Sequence, residues 1–418
     1  MSRKNRVVWS AIIALGLLVL SYIVGNLPFS IMGEKLLLKK AVAFYGLFHD
    51  EKGNEEVLDS ALFINVCYDK VMTPMHDTLN GWCGSVPVTD RHKLLELLEF
   101  LKDKEDAEQK ESGTPYYKYI LLDVFFGNDA YTKEDAELFS LISSMDRVVI
   151  PYRENEKIAD EHLMKKAFLS KYSQFIPVAG FTKYPYYIRS KSKHWEKTLP
   201  AKMFEEMTGR KIKKVGPLYF EGWRLAKRSC FLPLDICPNY WHNLGMDLLR
   251  DTLTVTQFGH DTTYTGNGFL YRSSKLTKNK YIVIGSHHPK VGDDMHNTFK
   301  GDMAGAALCY NAFYSMKEDQ YRINYFVVLI MFLAFFALSY FILCGGREMV
   351  FATKWFKKLK TGWKMVVFFF LSFFGTVLVL KLLSLIIFVV FGKVVEMLVV
   401  SIAFSLLLLI VKFNKQIQ

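Results

Sequence analysis

Five side chains that can bind metal ions or transfer protons follow an apolar, β-rich run. The run KYIVIG (280–285) is typical of a buried strand, and directly after it come His287, His288, Asp293, Asp294 and His296. Imidazole and carboxylate groups are ligands of Zn²⁺ and Mn²⁺. Neighbouring side chains on an extended chain point in opposite directions, however, and no His-x-x-x-His helical spacing is present. A solvated turn whose aspartates bond local backbone N–H groups is therefore preferred, with a metal of unknown identity as the alternative.

Two further carboxylates stand at the ends of predicted strands. Asp69 follows the apolar run LFINVCY (62–68), and Asp123 lies within YYKYILLDVFF (116–126). Because ligands of open parallel sheets bind beyond the carboxyl ends of the strands, these aspartates and the 286–296 loop are predicted to converge there.

The same two aspartates have the residue types of an acid/base pair, since hydrolases use two carboxylates in unlike environments. Hydrogen bonding at the strand ends is the preferred interpretation, because no nucleophile elbow or phosphate-binding glycine-rich loop occurs in the sequence. We therefore expect neither enzymatic activity nor a cofactor, and an exported metal- or carboxylate-dependent hydrolase is the alternative.

The sequence has six cysteines. Cys230 and Cys237 are close enough to bridge across the FLPLDI loop, which makes them the candidate disulfide. Cys67 and Cys309 lie in apolar runs typical of core residues.

Four apolar segments are long enough to cross a hydrocarbon core roughly 30 Å thick. They are residues 7–27, 325–344, 365–391 and 394–411. A cleaved signal peptide is the alternative for the first, but its apolar run exceeds the usual h-region of about 7 to 15 residues. Lys381 interrupts the third segment. It is therefore expected to pair with a carboxylate of a partner protein or to make a contact within the bundle, and a shifted helix boundary is the alternative.

Basic residues predict how these segments are oriented. They are concentrated in residues 1–6, in the 345–364 loop and in the 412–418 tail, and all three pieces are therefore predicted to be cytoplasmic. Residues 28–324 then form one large extracytoplasmic domain. The net charge of +12 is thus read as a topology signal and not as a nucleic-acid-binding surface.

Apolar strands alternate with helical patterns in the predicted exported domain, which favours an α/β fold with a mostly parallel sheet covered by helices. Helices are expected near 158–171, near 200–208 and at 301–316, where Ala304, Gly305, Ala306 and Ala307 permit close approach to the sheet. Residues 153–279 otherwise show few clean periods.

The order of these segments resembles the type-two CHASE domain, the exported sensory module of bacterial cyclases and kinases. The resemblance is carried by LFINVCYDK, TDRHKLLELLEFL, YKYILLDVFF, RVVIPY and the final stretch from KYIVIG to YNAFYSM. Positions similar to the closing pattern of the family are Val283, Ile284, Gly285, Asp293 or Asp294, Thr298, Met303, Gly305 and Asn311. Members also place one helix before the domain and about three after it.

The sequence departs from that family in two respects. It contains no kinase, cyclase or receiver motif, and HDTLNGWCGSVPVTD replaces the Trp-Pro-Trp loop of the family. The resemblance therefore implies a multi-pass sensory or interaction protein of the bacterial cytoplasmic membrane, with its large domain on the periplasmic or extracellular side. Signals would pass through a separate membrane or cytoplasmic effector, and a homo-oligomer is possible.

Overall fold

The computed structural model describes residues 2–27, 60–67, 69–77, 81–126, 132–152, 161–169, 183–189, 194–231, 252–257, 260–265, 277–286, 295–298, 302–344, 361–391, 393 and 395–417. The chain divides into two compact units. The sheet unit comprises Asp50–Lys211 and Cys230–Asp319, and the helical unit comprises Met1–His49, Ile212–Ser229 and Gln320–Gln418.

A five-stranded parallel sheet forms the centre of the sheet unit. Its spatial order is β1 (Ala61–Asn65), β16 (Tyr281–Gly285), β4 (Tyr119–Asp123), β5 (Val148–Tyr152) and β6 (Ala167–Leu169). β1, β4 and β16 are buried along almost their whole length. Strands covered on both faces carry continuous apolar runs, which explains why they contain few polar residues.

Helices cover both faces of this sheet. On one face, α2 (Arg91–Ser112) and α3 (Asp135–Ser144) join a core with Leu62, Ile64 and Ile120. On the other face, α6 (Gly305–Lys317) packs its aromatic residues against Phe63 and Tyr281. The alternation of Leu62, Phe63 and Ile64 between the two faces follows from the two-residue period of a strand.

Smaller elements complete the sheet unit. Two are short helices, α4 (Glu161–Met164) and α5 (Leu199–Thr208). Four are antiparallel strand pairs: β2 (Lys70–Asp77) with β3 (Gly81–Thr89), β8 (Tyr187–Arg189) with β9 (Trp195–Lys197), β14 (Thr252–Gln257) with β15 (His260–Thr265), and β17 (Met295–Asn297) with β18 (Asp302–Ala304). The last is the strand β7 (Lys183–Pro185). Strand β7 pairs with β13 (Ser229–Phe231).

The α/β class with a parallel sheet is confirmed, as is the helix near 200–208. The helix expected over 158–171 is wrong in its second half. Among the described residues of that range, 161–169, helix is confined to Glu161–Met164, and Ala167–Leu169 pairs with β5 as the edge strand of the sheet. A free edge on a buried sheet competes successfully with local helix propensity, because pairing satisfies backbone hydrogen bonds.

The helical unit contains α1 (Arg3–Gly25), α7 (Tyr325–Leu343), α8 (Thr361–Phe391) and α9 (Leu398–Ile417). Within the described residues, three helices are long and apolar enough to cross a membrane: Arg3–Gly25, Tyr325–Leu343 and Phe373–Phe391. The sequence predicted four. The predicted fourth span begins at residue 394, but residues 395–397 are not helical, and the apolar part of α9 is the shorter stretch Leu398–Leu407.

A three-stranded antiparallel meander also belongs to the helical unit. Its strands are β10 (Ile212–Val215), β11 (Leu218–Glu221) and β12 (Arg224–Ala226), joined by tight turns at Gly216 and Gly222 with positive φ angles of 58° each. In the sequence, this meander lies between α1 and α7.

Candidate functional site

Three residues lie side by side at the carboxyl edge of the sheet. Asn65 ends β1, Gly285 ends β16 and Asp123 ends β4, and the register pairs Gly285 with both neighbours. Asn65 and Asp123 are buried, and the Asn65 side chain accepts a hydrogen bond of 3.0 Å from the backbone N–H of Cys67. This edge is the position at which parallel α/β sheets bind ligands.

Gly285 permits the close approach of α6 to this edge. A Cβ atom at residue 285 would lie 2.5 Å from the Cβ of Ala306 and 3.4 Å from the Cβ of Asp123. The first distance is shorter than any ordinary van der Waals contact, so a side chain there would displace the helix. Of the small residues 304–307 for which close approach to the sheet was predicted, Ala306 makes that approach, and Gly285 is its counterpart on the sheet.

Asp69 follows β1 at the same edge, where its carboxylate accepts a hydrogen bond of 2.6 Å from Lys93. Lys93 lies in the first turn of α2, whose N-terminus is capped by Asp90. The backbone carbonyl of Asp69 also accepts from the N–H of Asp90, at 2.9 Å. Asp69 therefore joins the end of β1 to the start of α2, which agrees with the hydrogen-bonding role preferred above.

Asp123 is two strands away from β1, because β16 lies between β1 and β4. The structure thus places Asp69 and Asp123 at one edge of the sheet, with the Asp69 carboxylate bound to Lys93.

Arg91 is a buried residue at this edge that sequence reasoning missed. Its guanidinium lies 4.5 Å from the centre of the Phe126 ring and 3.5 Å from the Asp135 carboxylate, and it donates at 3.1 Å to the carbonyl of Phe125. Burial lowers the pKa of Arg91, and the charge of Asp135 opposes that shift. One signal in the sequence could have indicated Arg91. The first turn of α2 is basic, although positive charge is unfavourable at a helix N-terminus.

The Nη1 atom of Arg91 is buried and has no hydrogen-bond partner among the described residues. An unsatisfied buried guanidinium donor is costly, so this atom has the chemistry to bind an acceptor that reaches the edge of the sheet.

The remaining predicted site residues divide into two groups. His296 lies in β17, where it pairs with Met303 of β18 and is partly buried. His287, His288, Asp293, Asp294 and Cys237 lie outside the described residues, as does the side chain of Cys230 in β13. In the described ranges, no group of three His, Cys, Asp or Glu residues could hold a metal ion. The metal alternative for the 287–294 loop and the Cys230–Cys237 disulfide both stay predictions.

Lys381 lies in α8, and its charge partner is in the same chain. Glu396, in the non-helical segment before α9, is buried and acts electrostatically on Lys381. The Ser384 hydroxyl donates at 2.8 Å to the carbonyl of Val395, which fixes that segment against α8. This interaction supports a contact of Lys381 within the helical unit, and the alternatives given for Lys381 stay predictions.

Comparison of the chain with protein-family models, with curated proteins and with solved structures gives no match. The resemblance to the CHASE domain therefore stays a prediction made from the residues quoted above.

Proposed function

We propose that the protein is a membrane-anchored, extracytoplasmic sensory or interaction protein of a bacterial cytoplasmic membrane. It binds a ligand or partner at the carboxyl edge of its parallel sheet and signals or scaffolds through a separate effector protein. The three apolar helices Arg3–Gly25, Tyr325–Leu343 and Phe373–Phe391 support the membrane anchor. The basic flanks of the spans support placing residues 28–324 outside the cytoplasm.

The observation that carries this proposal is the position of α6. Ala306, in its first turn, contacts Gly285 at the carboxyl edge of the sheet. Tyr310 and Phe313 then pack on Tyr281, the first residue of β16, so α6 crosses the sheet towards its opposite edge. Only residues 318–324 separate the end of α6 from the apolar helix α7.

A ligand at the carboxyl edge would act on the start of α6. Packed interiors are close to incompressible, so a displacement there is transmitted along the helix. The short connection to α7 then passes the displacement to a membrane span.

The test is copurification of the tagged full-length chain in mild detergent, followed by identification of the proteins that accompany it. We expect an effector that carries a kinase or cyclase domain. Gly285→Ala, which displaces α6, should change the amount of that effector. Gly285→Ala combined with Ala306→Gly removes the added contact and should restore it. A pure homo-oligomer without an effector, in the wild type as in both variants, would contradict the proposal.

A further inference from the structure

The meander of the helical unit is attached to the end of α1. The Tyr22 hydroxyl, in the last turn of α1, donates at 3.2 Å to the carbonyl of Ala226. The backbone N–H of Arg228 donates to the side chain of Asn26, the C-cap residue, and the Ser229 hydroxyl donates at 3.1 Å to the carbonyl of Leu27. From Ala226 to Ser229 the chain therefore runs parallel to α1 and away from the centre of that helix.

The segment that leads into α7 gives the same direction. The N–H of Lys227 donates at 2.8 Å to the carbonyl of Tyr321, and the N–H of Ile323 donates at 3.2 Å to the carbonyl of Leu225. The N–H of Leu225 bonds the hydroxyl of Tyr325, the first residue of α7, at 3.3 Å. Residues 225–227 therefore run antiparallel to residues 321–323. Followed from Lys227 towards Leu225, the strand leads in the direction of α7, towards the centre of that span.

The turn that precedes β12 extends further in this direction. Glu221 pairs with Arg224, so Gly222 and Trp223 form the tip of the hairpin and lie beyond Leu225 and Arg224. The Trp223 side chain has an exposed fraction of 76%. The large side chains at the start of α7, Tyr325 and Phe326, are also exposed, at 50% and 61%.

The charge at this turn is positive. Glu221 is neutralised by Arg322, whose Nε and Nη2 atoms donate to its carboxylate at 2.6 and 2.8 Å, and it also accepts from the Tyr321 hydroxyl at 2.7 Å. Arg224 is exposed, and its guanidinium lies 5.4 Å from the centre of the Trp223 ring. An exposed tryptophan beside an exposed arginine, level with the first residues of an apolar span, matches the composition of membrane interfaces.

We propose that the β11–β12 hairpin inserts its Gly222–Trp223 turn into the headgroup region of the phospholipid bilayer, where Trp223 lies among the glycerol and carbonyl groups and Arg224 binds lipid phosphate. The bilayer is the expected binding partner of this turn, because the hairpin is hydrogen-bonded to the ends of α1 and α7 and the bilayer surrounds both helices. The inference rests on the proposed membrane anchoring by α1 and α7, but not on which side of the membrane the sheet unit occupies. The hairpin fixes the depth of both spans.

The test uses the full-length chain in phosphatidylcholine vesicles, with bromine placed on the acyl chains either near the headgroup or near the methyl end. Bromine quenches tryptophan emission at short range, and the emission of Trp223 is the difference between wild type and Trp223→Phe. We expect this difference to be quenched by the shallow bromine, to be quenched much less by the deep bromine, and to be protected from aqueous acrylamide. Trp195→Phe is the matched control, because Trp195 is an exposed tryptophan of the sheet unit. Its difference emission should be quenched by acrylamide instead.

Two failures are distinguishable. If the chain does not float with the vesicles, α1 and α7 are not membrane spans, and both the anchoring and the hairpin proposals are overturned. If the chain floats but the Trp223 emission is quenched by acrylamide and not by either bromolipid, the hairpin proposal alone is overturned. Trp223→Phe changes an exposed side chain only, and an unchanged unfolding temperature checks that the variant is folded.

Discussion

Gly285 leaves no room for a side chain between the sheet and α6. We therefore expect a substitution of this single residue by alanine to destabilise the fold. Gly285→Ala places a Cβ 2.5 Å from that of Ala306. Overpacking of a buried site costs about 1 to 3 kcal/mol, so the free energy of unfolding should fall by that amount. Thermal unfolding of the purified chain measures the loss.

The matched control removes the opposing methyl group. Ala306→Gly alone should cost about 1 kcal/mol, because glycine weakens a helix. In the double variant the two losses should not add, since the clash no longer exists. Additive losses would show that α6 does not approach the sheet at Gly285.

Single residues also show what the sequence determines and what it leaves open. The positions of Asp69 and Asp123 at strand ends follow from local apolar runs, and Ala306 follows from a cluster of small residues. The Lys93 partner of Asp69 and the buried position of Arg91 do not follow, because both depend on how α2 packs against the sheet. Arg91 is the clearest case, since its contacts to Phe126 and Asp135 join segments far apart in the sequence.

At the scale of elements, the connection between α8 and α9 folds back into the bundle. Phe391, at the end of α8, lies 6.0 Å from Phe326 in the first turn of α7, measured between ring centres. Ser384 is two turns earlier, about 10 Å deeper at 1.5 Å per residue, and it bonds the carbonyl of Val395. Glu396 follows at this depth, where polar groups require partners from the protein.

Glu396→Gln should therefore leave the charge of Lys381 without its carboxylate inside the bundle. An uncompensated intramembrane charge costs about 2.5 to 3.5 kcal/mol, so the apparent unfolding temperature in mild detergent should fall. Adding Lys381→Met should recover most of the loss, because removing both partners also removes the buried charge.

The control for this pair is Lys102→Met. Lys102 bonds Asp106 at 2.6 Å on the surface of α2, and exposed pairs contribute only about 0 to 1 kcal/mol. A Glu396→Gln variant that unfolds no earlier than the Lys102→Met variant would refute the role of Glu396.

Elements with a strong period are predictable from this sequence, and their ends are less so. The span predicted at 325–344 is the helix Tyr325–Leu343. An uninterrupted apolar run of about 20 residues is typical of a membrane-spanning helix, so both its type and its length could be predicted. The start predicted for the fourth apolar segment, residue 394, was wrong. Val395 and Met397 are apolar, but they belong to the non-helical connection that precedes α9. The edge strand Ala167–Leu169 was missed for a similar reason, since only the finished sheet supplies its partner.

At the scale of the whole molecule, the proposal depends on which side of the membrane the sheet unit occupies. α1 and α7 flank residues 28–324, so one side holds all of them if both helices cross the bilayer. The basic residues of 1–6 and 345–364 favour the cytoplasm for the other side, because loops rich in Lys and Arg are retained there.

Cysteine labelling of intact cells tests this orientation directly. Glu111 is exposed at the end of α2, and Cys344 is exposed at the end of α7. In a background whose other cysteines are replaced by alanine, Glu111→Cys should react with a membrane-impermeant maleimide in intact cells. Cys344, tested alone in a matching background, should react only after the cells are permeabilised. The reverse pattern would place the sheet unit in the cytoplasm and exclude an extracytoplasmic sensor, whereas the lipid contact of Trp223 would persist on the opposite leaflet.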